Sequence, residues 1–329
     1  MGITMKDVAK KAGVSTATVS YVVNNSKRVS EQTCKKVKKV MAAMDYYPSA
    51  IGRSLRVQRT RTIGLMVPVL SNQYFTTAAH GIGEILQQNG YSLIITESNE
   101  DMAAEKKIIQ ALHSLMVDGL ILVPCGPRQD NLQRVLQSSC PVVFLDRRPE
   151  RLKADSVVLD NFLSTHTAIK QLIEKGRKKI GILLGATWFS TTKDRIRGYR
   201  QALKEAGLKF NPRLILHSDY GLDAGLNLSQ HLLEKMGVDA IFAASSNLTL
   251  GAFLTANRLK KSIPQDVAII GCDDLPWANA THPRLSMIEQ PACEMGKMAA
   301  ELLLKRIGKY QGSNQVVFLP TRIHNRQST

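Results

Sequence analysis

Residues 4–24 read TMKDVAKKAGVSTATVSYVVN, and this stretch decides the fold of the N-terminal part. Thr4 can cap a helix, with Asp7 in its first turn, where a carboxylate meets the positive end of the helix dipole. Val8, Ala9 and Ala12 then recur at helical spacing. Gly13 supplies the positive φ that a sharp helix–helix turn needs, and Val14 can plug the angle between the helices. Ser15 caps a second helix, whose Val19, Val22 and Val23 face inward. Working outward, Ser30 caps a third, with Val37, Val40, Met41 and Met44 on one stripe and Lys35, Lys36, Lys38 and Lys39 on the other faces. Three short helices with a glycine turn after the first make a small all-α helix–turn–helix head.

The charge agrees with that reading. Residues 1–61 carry 13 Lys/Arg against 3 Asp/Glu, so +10 of the chain's +17 sits in this short segment. A basic module on a nearly balanced body points to a polyanion, and double-stranded DNA is the first candidate. In a helix–turn–helix the second helix leads into the major groove with its N-terminal residues. Its outward positions are Thr16, Ala17 and Tyr21, which makes them the base-reading candidates. Thr16 can donate or accept, Ala17 can touch a thymine methyl, and Tyr21 can reach a base edge or a phosphate.

The remaining 268 residues exceed one ordinary core, and 44% hydrophobic against 22% charged residues is a globular composition. No apolar run reaches the ~18–20 residues of a membrane span, and MGITMKDVAKKAG lacks the apolar core of a secretion signal, so the expected location is the cytoplasm. Five scattered cysteines, Cys34, Cys125, Cys140, Cys272 and Cys293, show neither a zinc spacing nor a disulfide framework. After Thr62 the pattern changes to short apolar runs separated by helix-length segments. IGLMVPVL (63–70), SLIIT (92–96), GLILVP (119–124) and VVFLD (142–146) form one set. The second set is VVLD (157–160), KIGILLG (179–185), LILH (214–217), AIFAAS (240–245) and VAIIGCD (267–273), and QVVFLPTRI (315–323) is expected to return to the first lobe. Such alternation implies two lobes with parallel sheets covered on both faces, and ligands bind beyond the carboxyl ends of such strands. The strand-end residues are Asn72, Phe75, Asp146, Arg147, Asp160, Asn161, Arg195, Tyr220, Ser245, Ser246 and Asp273, a set suited to a polyol, sugar or purine. All but Arg147 and Ser245 are taken as the effector-site candidates.

Rival classes find less support in the residues. There is no G-x-x-x-x-G-K-[ST] loop, HExxH, CxxC or GxSxG, and Gly81-Ile82-Gly83 lacks the third glycine of a dinucleotide fingerprint, so an enzyme is not expected. A transport-type binding protein has no use for a DNA head, and a purely architectural DNA binder has none for a cleft-bearing body.

The run from Met5 to Leu55 closely resembles the head of the lactose/galactose repressor (LacI–GalR) family of bacterial transcription regulators. The resemblance rests on D-V-A-x-x-A-G-V-S-x-x-T-V-S, on V-S-x-x-T at the third helix and on Y-x-P-x-x-x-x-R-x-L. Pieces of the body also match: S-N-Q-Y-F, V-D-G-L-I-L, V-x-L-D-N, R-I-R-G-Y-x-x-A-L, P-Q-D-V-A-I-I-G-C-D-D and I-E-Q-P. The resemblance implies a helix–turn–helix head at 1–47, a hinge helix and linker at 48–61, and a periplasmic-binding-protein-like (type I) effector and dimerisation core at 62–329. The lobes of that core would be about 62–160 with 291–322, and about 161–290. It implies a homodimeric repressor on a pseudo-palindromic operator, answering to a sugar or related metabolite, with a nucleobase or a protein co-repressor as the alternative and no metal or other cofactor. Thr4, Ser15, Thr18, Asn24, Ser30, Ser49, Ile51 and Arg53 complete the implied DNA contacts, and Leu55 would be a wedge pushed into the minor groove. Asp273 and Arg195 would be the main effector contacts, with Phe75 and Tyr220 as stacking walls. Ser245–Ser246 stand where relatives often carry Asn–Asp, so the effector class is not inherited.

One departure lies in the implied hinge helix. Gly52 stands where the family usually has alanine, and glycine costs about 1 kcal/mol of helix propensity. Gly52→Ala is expected to tighten operator binding in a fluorescence-anisotropy titration and to raise hinge helicity off DNA by circular dichroism. Unchanged affinity with unchanged helicity would remove the hinge from the account.

Overall fold

The computed structural model describes residues 3–24, 28–46, 59–126 and 130–329. The chain divides into two compact units, Met1–Thr60 and Arg61–Thr329.

The first unit is the three-helix head, α1 (Met5–Ala12), α2 (Thr16–Asn24) and α3 (Glu31–Ala43). Thr4 and Asp7 form a reciprocal cap on α1: the Thr4 amide donates to Asp7 Oδ2 at 2.8 Å, and the Asp7 amide donates to Thr4 Oγ1 at 3.4 Å. Gly13 takes φ 62°, and its amide and that of Val14 close the helix end on Lys10 and Ala9 carbonyls. Ser15 accepts from the Thr18 amide at 3.0 Å, and Ser30 from the Thr33 amide at 3.3 Å. Val8, Ala9, Ala12, Val19 and Val37 are the buried centre, with Val14, Val22, Val23, Val40, Met41 and Met44 packed around them.

The second unit starts with β1 (Thr62–Val67), α4 (Gln73–Gln88), β2 (Ser92–Glu97), α5 (Met102–Ser114), β3 (Gly119–Leu122), α6 (Asp130–Leu136), β4 (Val142–Leu145) and β5 (Asp155–Leu159). It continues with α7 (Asn161–Glu174), β6 (Ile180–Leu184), α8 (Ser190–Glu205), β7 (Ile215–His217), α9 (Leu222–Gln230), β8 (Ala240–Ala243), α10 (Ser246–Arg258), β9 (Ala268–Cys272), α11 (Trp277–Ala280) and β10 (Ser286–Glu289). It ends with α12 (Ala292–Ile307), β11 (Val316–Leu319) and β12 (Arg322–His324). Two six-stranded sheets result, ordered β11-β5-β4-β3-β1-β2 and β12-β10-β9-β8-β6-β7, and every ladder is parallel except β10 with β12. The inner strands are buried apolar runs, as expected when helices cover both faces, while the edge strands β2, β7, β11 and β12 are partly exposed.

Two details differ from the sequence reading. Asp155–Leu159 belongs to the first sheet, in register with β4 (Val143↔Asp155) and β11 (Val316↔Ser156), not to the second set of apolar runs, although the lobe bounds implied by the family resemblance already place it in the first lobe. Asp155 is buried there as the partner of Arg306 on α12, which pins the strand to the first lobe. The segment 315–323 is not one strand returning to the first lobe. Pro320 has no amide to continue a ladder, so β11 stops at Leu319 and the chain re-enters the second sheet as β12, Met287↔His324. Residues 322–329 therefore extend the second lobe: Ser328 binds Ile269 and Ser286 there. The chain passes between lobes three times, after β5, after β10 and after β11.

Helix pairs cover the sheets at close range. On the first lobe α4 and α12 meet where both carry glycine. A Cβ at Gly81 would lie 2.2 Å from the Cys293 carbonyl oxygen, and one at Gly296 only 2.0 Å from that of Ala78. Gly83, one residue past that seam, faces nothing within 4 Å. Among the described residues no helix is long and apolar enough to cross a membrane. Gly296→Ala is expected to lower stability by about 1–3 kcal/mol through overpacking, while Gly83→Ala raises it by about 0.5–1 kcal/mol through helix propensity. Urea unfolding at one fixed protein concentration checks both signs.

Candidate functional site

β4 and β9 end alike. The Asp146 amide donates to Val157 of β5 and the Asp273 amide to Ile288 of β10, and both residues adopt left-handed backbone, φ 63° and 65°. Tyr220, after β7, does the same at φ 66°. A non-glycine residue in that region costs roughly 1–2 kcal/mol. Three such residues around one cavity mark a place where side-chain aim outweighs backbone comfort.

These strand ends, one set from each lobe, enclose a narrow cavity of about 40 Å³. Asn72, Phe75, Asp146, Arg195, Tyr220 and Asp273 all line it. At about 10–15 Å³ per water this is room for two to four waters, so a sugar-sized molecule requires side chains or lobes to move.

The polar groups are largely preset. Asp273 Oδ2 accepts from the Ser246 amide at 3.1 Å, and Gln290 Nε2 donates to Oδ1. Burial raises the Asp273 pKa, against the lowering effects of Ser246, Gln290 and Arg195. Asp146 Oδ1 accepts from the Tyr74 hydroxyl at 3.1 Å. Burial, then the charges of Asp146 and Asp273, hold that phenol far above its ordinary range, so it remains a donor. Arg195 is different. It is 5% exposed, yet no described residue accepts a hydrogen bond from its guanidinium. Burial opposes its charge, but Tyr220, Cys272, Asp146 and Asp273 outweigh that and its pKa rises. The Tyr220 ring lies against Gly185, where any Cβ would collide with it.

Beside the cavity, contacts join the lobes. Arg147 is held by Glu100 in a two-pronged pair, both arms 2.8 Å, and its guanidinium lies 3.6 Å from the centre of the Phe189 ring. Trp188 Nε1 donates to the Cys125 carbonyl at 3.2 Å, and the Arg148 amide to Ser190 Oγ at 3.2 Å.

Three of the nine residues singled out from the sequence do not line the cavity. Asp160 caps α7 by accepting from the Leu163 amide at 2.8 Å. Asn161 is buried and donates to the Leu159 carbonyl. Ser246 contributes its backbone amide to Asp273. Sequence reasoning left Tyr74, Thr191, Ala244 and Gln290 out, and all four line it, as do the strand-end residues Arg147 and Ser245. Gln290 had a signal, its place after a strand in I-E-Q-P, and Tyr74 and Arg147 adjoin chosen residues.

On the head, Thr16 and Ala17 are exposed at the start of α2, and Tyr21 is half-buried. Thr18 Oγ1 lies 2.9 Å from Ser15 Oγ, and Thr4 and Ser30 are helix caps, so these four hydroxyls already serve the head's own helices. Ser49, Ile51, Gly52, Arg53, Leu55 and the side chain of Asn24 lie outside the described residues. Among the described residues no group of three or more His, Cys, Asp or Glu is placed to hold a metal ion, and Cys34, Cys125, Cys140, Cys272 and Cys293 are free thiols.

Residues 4–49 match the model of bacterial regulatory proteins of the lacI family, and residues 169–329 match a periplasmic binding protein-like domain. The chain is 38% identical to the ribose operon repressor of Haemophilus influenzae over 305 residues, 92% of each chain. Among solved structures it resembles the transcriptional regulator CelR–cellobiose complex, with TM-score 0.76 and 28% identity over 99% of this chain and 100% of that one. It also shares the fold of the lac repressor dimer bound to operator and the anti-inducer ONPF, with TM-score 0.88 and 23% identity over 100% and 99% of the two chains. A helix–turn–helix head on a two-lobed, cleft-bearing core defines a ligand-responsive DNA-binding regulator. The chain belongs to the LacI family of bacterial regulatory proteins.

Proposed function

We propose that the chain is a cytoplasmic, homodimeric, non-catalytic repressor that holds a pseudo-palindromic operator on the nucleoid and is controlled by a neutral sugar of about pentose size bound between its lobes. The observation that carries the sugar assignment is Arg195, a buried cation whose donors no described residue uses, facing two carboxylates from opposite lobes. A guanidinium that donates to hydroxyl oxygens, and carboxylates that accept from hydroxyl protons, suit a polyol that can do both. A net anion would meet Asp146 and Asp273 at close range, and a purely apolar ligand would leave all three charges unanswered. The ribose operon repressor and the CelR–cellobiose complex both carry sugar names, which supports the same class.

Control follows from linkage. A sugar too large for the cavity as it stands favours a different lobe arrangement, and it shifts operator affinity only as far as it distinguishes the two arrangements. Asp273 and Arg195 are the gripping residues, Asp146 is the carboxylate of the other lobe, and Phe75 and Tyr220 are the ring walls. Thr16 and Ala17 read bases; Tyr21 supports them at the groove. Thr4, Ser15, Thr18 and Ser30 set the helix ends against the DNA backbone.

Fluorescence anisotropy on labelled operator, with and without ribose, tests the control. Ribose is expected to change operator affinity severalfold in the native protein and to do nothing in Asp273→Ala, whose affinity for operator alone stays as it was. A response to a nucleobase and to no sugar would replace the assignment. For the head, exchanging Thr16 and Ala17 is expected to change the half-site recovered by selection from random DNA; recovery of the same sequence would rule these two out as readers.

A further inference from the structure

A second cleft opens beside the effector cavity, and its walls also come from both lobes. It consists of two adjoining spaces, of about 530 Å³ and 90 Å³, that share Arg148, Pro149, Glu150, Ser190 and Lys193. The larger space is cationic. Arg148, Lys153, Lys193 and Arg197 line it against Glu150 and Asp194. Lys193 pairs with Glu150 across the lobes and Arg197 pairs with Asp194 within α8. Arg148 and Lys153 remain, and among the described residues no carboxylate pairs with either. The smaller space is bounded by Trp188, Phe189 and Pro149, with Trp188 47% exposed.

We propose that this side cleft is a second ligand site, for a small phosphate monoester, separate from the effector cavity. Arg148, whose guanidinium lies 5.8 Å from the centre of the Phe318 ring, and Lys153 have no carboxylate partner among the described residues. Two such charges match one phosphate monoester, which carries about −1.5 to −2 at pH 7, better than a single carboxylate. An arginine fork beside a lysine ammonium is a combination suited to phosphate oxygens. A few hundred Å³ between two lobes takes a small molecule and excludes a DNA duplex, so the charge surplus here is not part of the operator surface. The aromatic end gives the ester's organic body a face to lie on. Because Arg148 and Lys153 come from the first lobe and Lys193 from the second, a bound ester bridges the lobes and favours the arrangement in which these walls stand together. Its effect on operator affinity rests on the regulator reading above; its binding does not.

Ribose 5-phosphate is the probe, titrated into the full chain by calorimetry and followed by Trp188 emission, one of only two tryptophans. Saturable binding that weakens at least about tenfold in Arg148→Ala/Lys153→Ala is expected, with partial recovery in Arg148→Lys/Lys153→Arg. Both side chains are exposed, so the fold is not at stake. Lys106→Ala/Arg134→Ala, which removes two cations from another surface groove of the first lobe, is expected to leave binding within about twofold. Arg195→Ala, which disables the effector cavity, is expected to leave it too. Loss of binding in Arg195→Ala alone would place the ester in the effector cavity and overturn the proposal. Equal weakening by the two surface pairs would overturn it as diffuse charge, and inorganic phosphate binding as tightly as the ester would overturn the ester assignment. Absence of binding at up to about 10 mM ribose 5-phosphate would end it.

Discussion

A buried guanidinium needs a reason to stay charged, and that need organises the centre of this molecule. Arg195 sits 5% exposed on α8, where desolvation alone would cost several kcal/mol. Asp146 from one lobe and Asp273 from the other repay part of that by proximity, and each keeps its own hydrogen bonds, from Tyr74 and from Ser246 and Gln290. The three charges stand around one cavity at the carboxyl ends of two sheets, and among the described residues none of them is ion-paired to another across it. Everything around them holds these ends in place.

The two sheets show how that is done. They share one strand order, and in both the fourth strand in the order of building ends in an aspartate turned left-handed, its amide fastened to the next strand. The helices that brace them pack closely enough that Gly81 and Gly296 tolerate no side chain. Three chain passages join the two lobes, and a LacI-type regulator whose effector sits between its lobes would act through the angle between them. Contacts such as Arg147 on Phe189 and Lys193 with Glu150 lie between the lobes, where a ligand bridging the two acts on them most directly.

Much of this was legible in the residues because it is local. A cap, a glycine turn and a valine stripe reach three or four residues, so Thr4, Gly13, Ser15 and Ser30 could be placed without any long-range contact, and their bonds are those the spacing suggests. Strand ends were legible too, since apolar runs stop visibly, which brought six of nine proposed residues to the cavity. Asp160 and Asn161 misled because a carboxylate and an amide at a strand end are equally good helix caps and backbone partners, and the pattern does not say which way a side chain turns. Tyr74 and Thr191 escaped because each lies in the first turn of a helix, whose periodicity carries no mark of a cavity.

By itself the sequence determined the class of each part: a basic three-helix head, two α/β lobes with parallel strands, and the chemistry available at their strand ends. It could do so because periodicity, caps and turns are properties of neighbours along the chain. Only the tertiary structure decided that residues 322–324 pair in the second sheet, since such a run fits either sheet until a ladder such as Met287↔His324 chooses. Only it decided that no described residue accepts a hydrogen bond from Arg195, and that among the described residues no carboxylate pairs with Arg148 or Lys153 at the second cleft. Whether a charge is answered depends on what residues far away in sequence bring to it, and no spacing along one strand or helix contains that information.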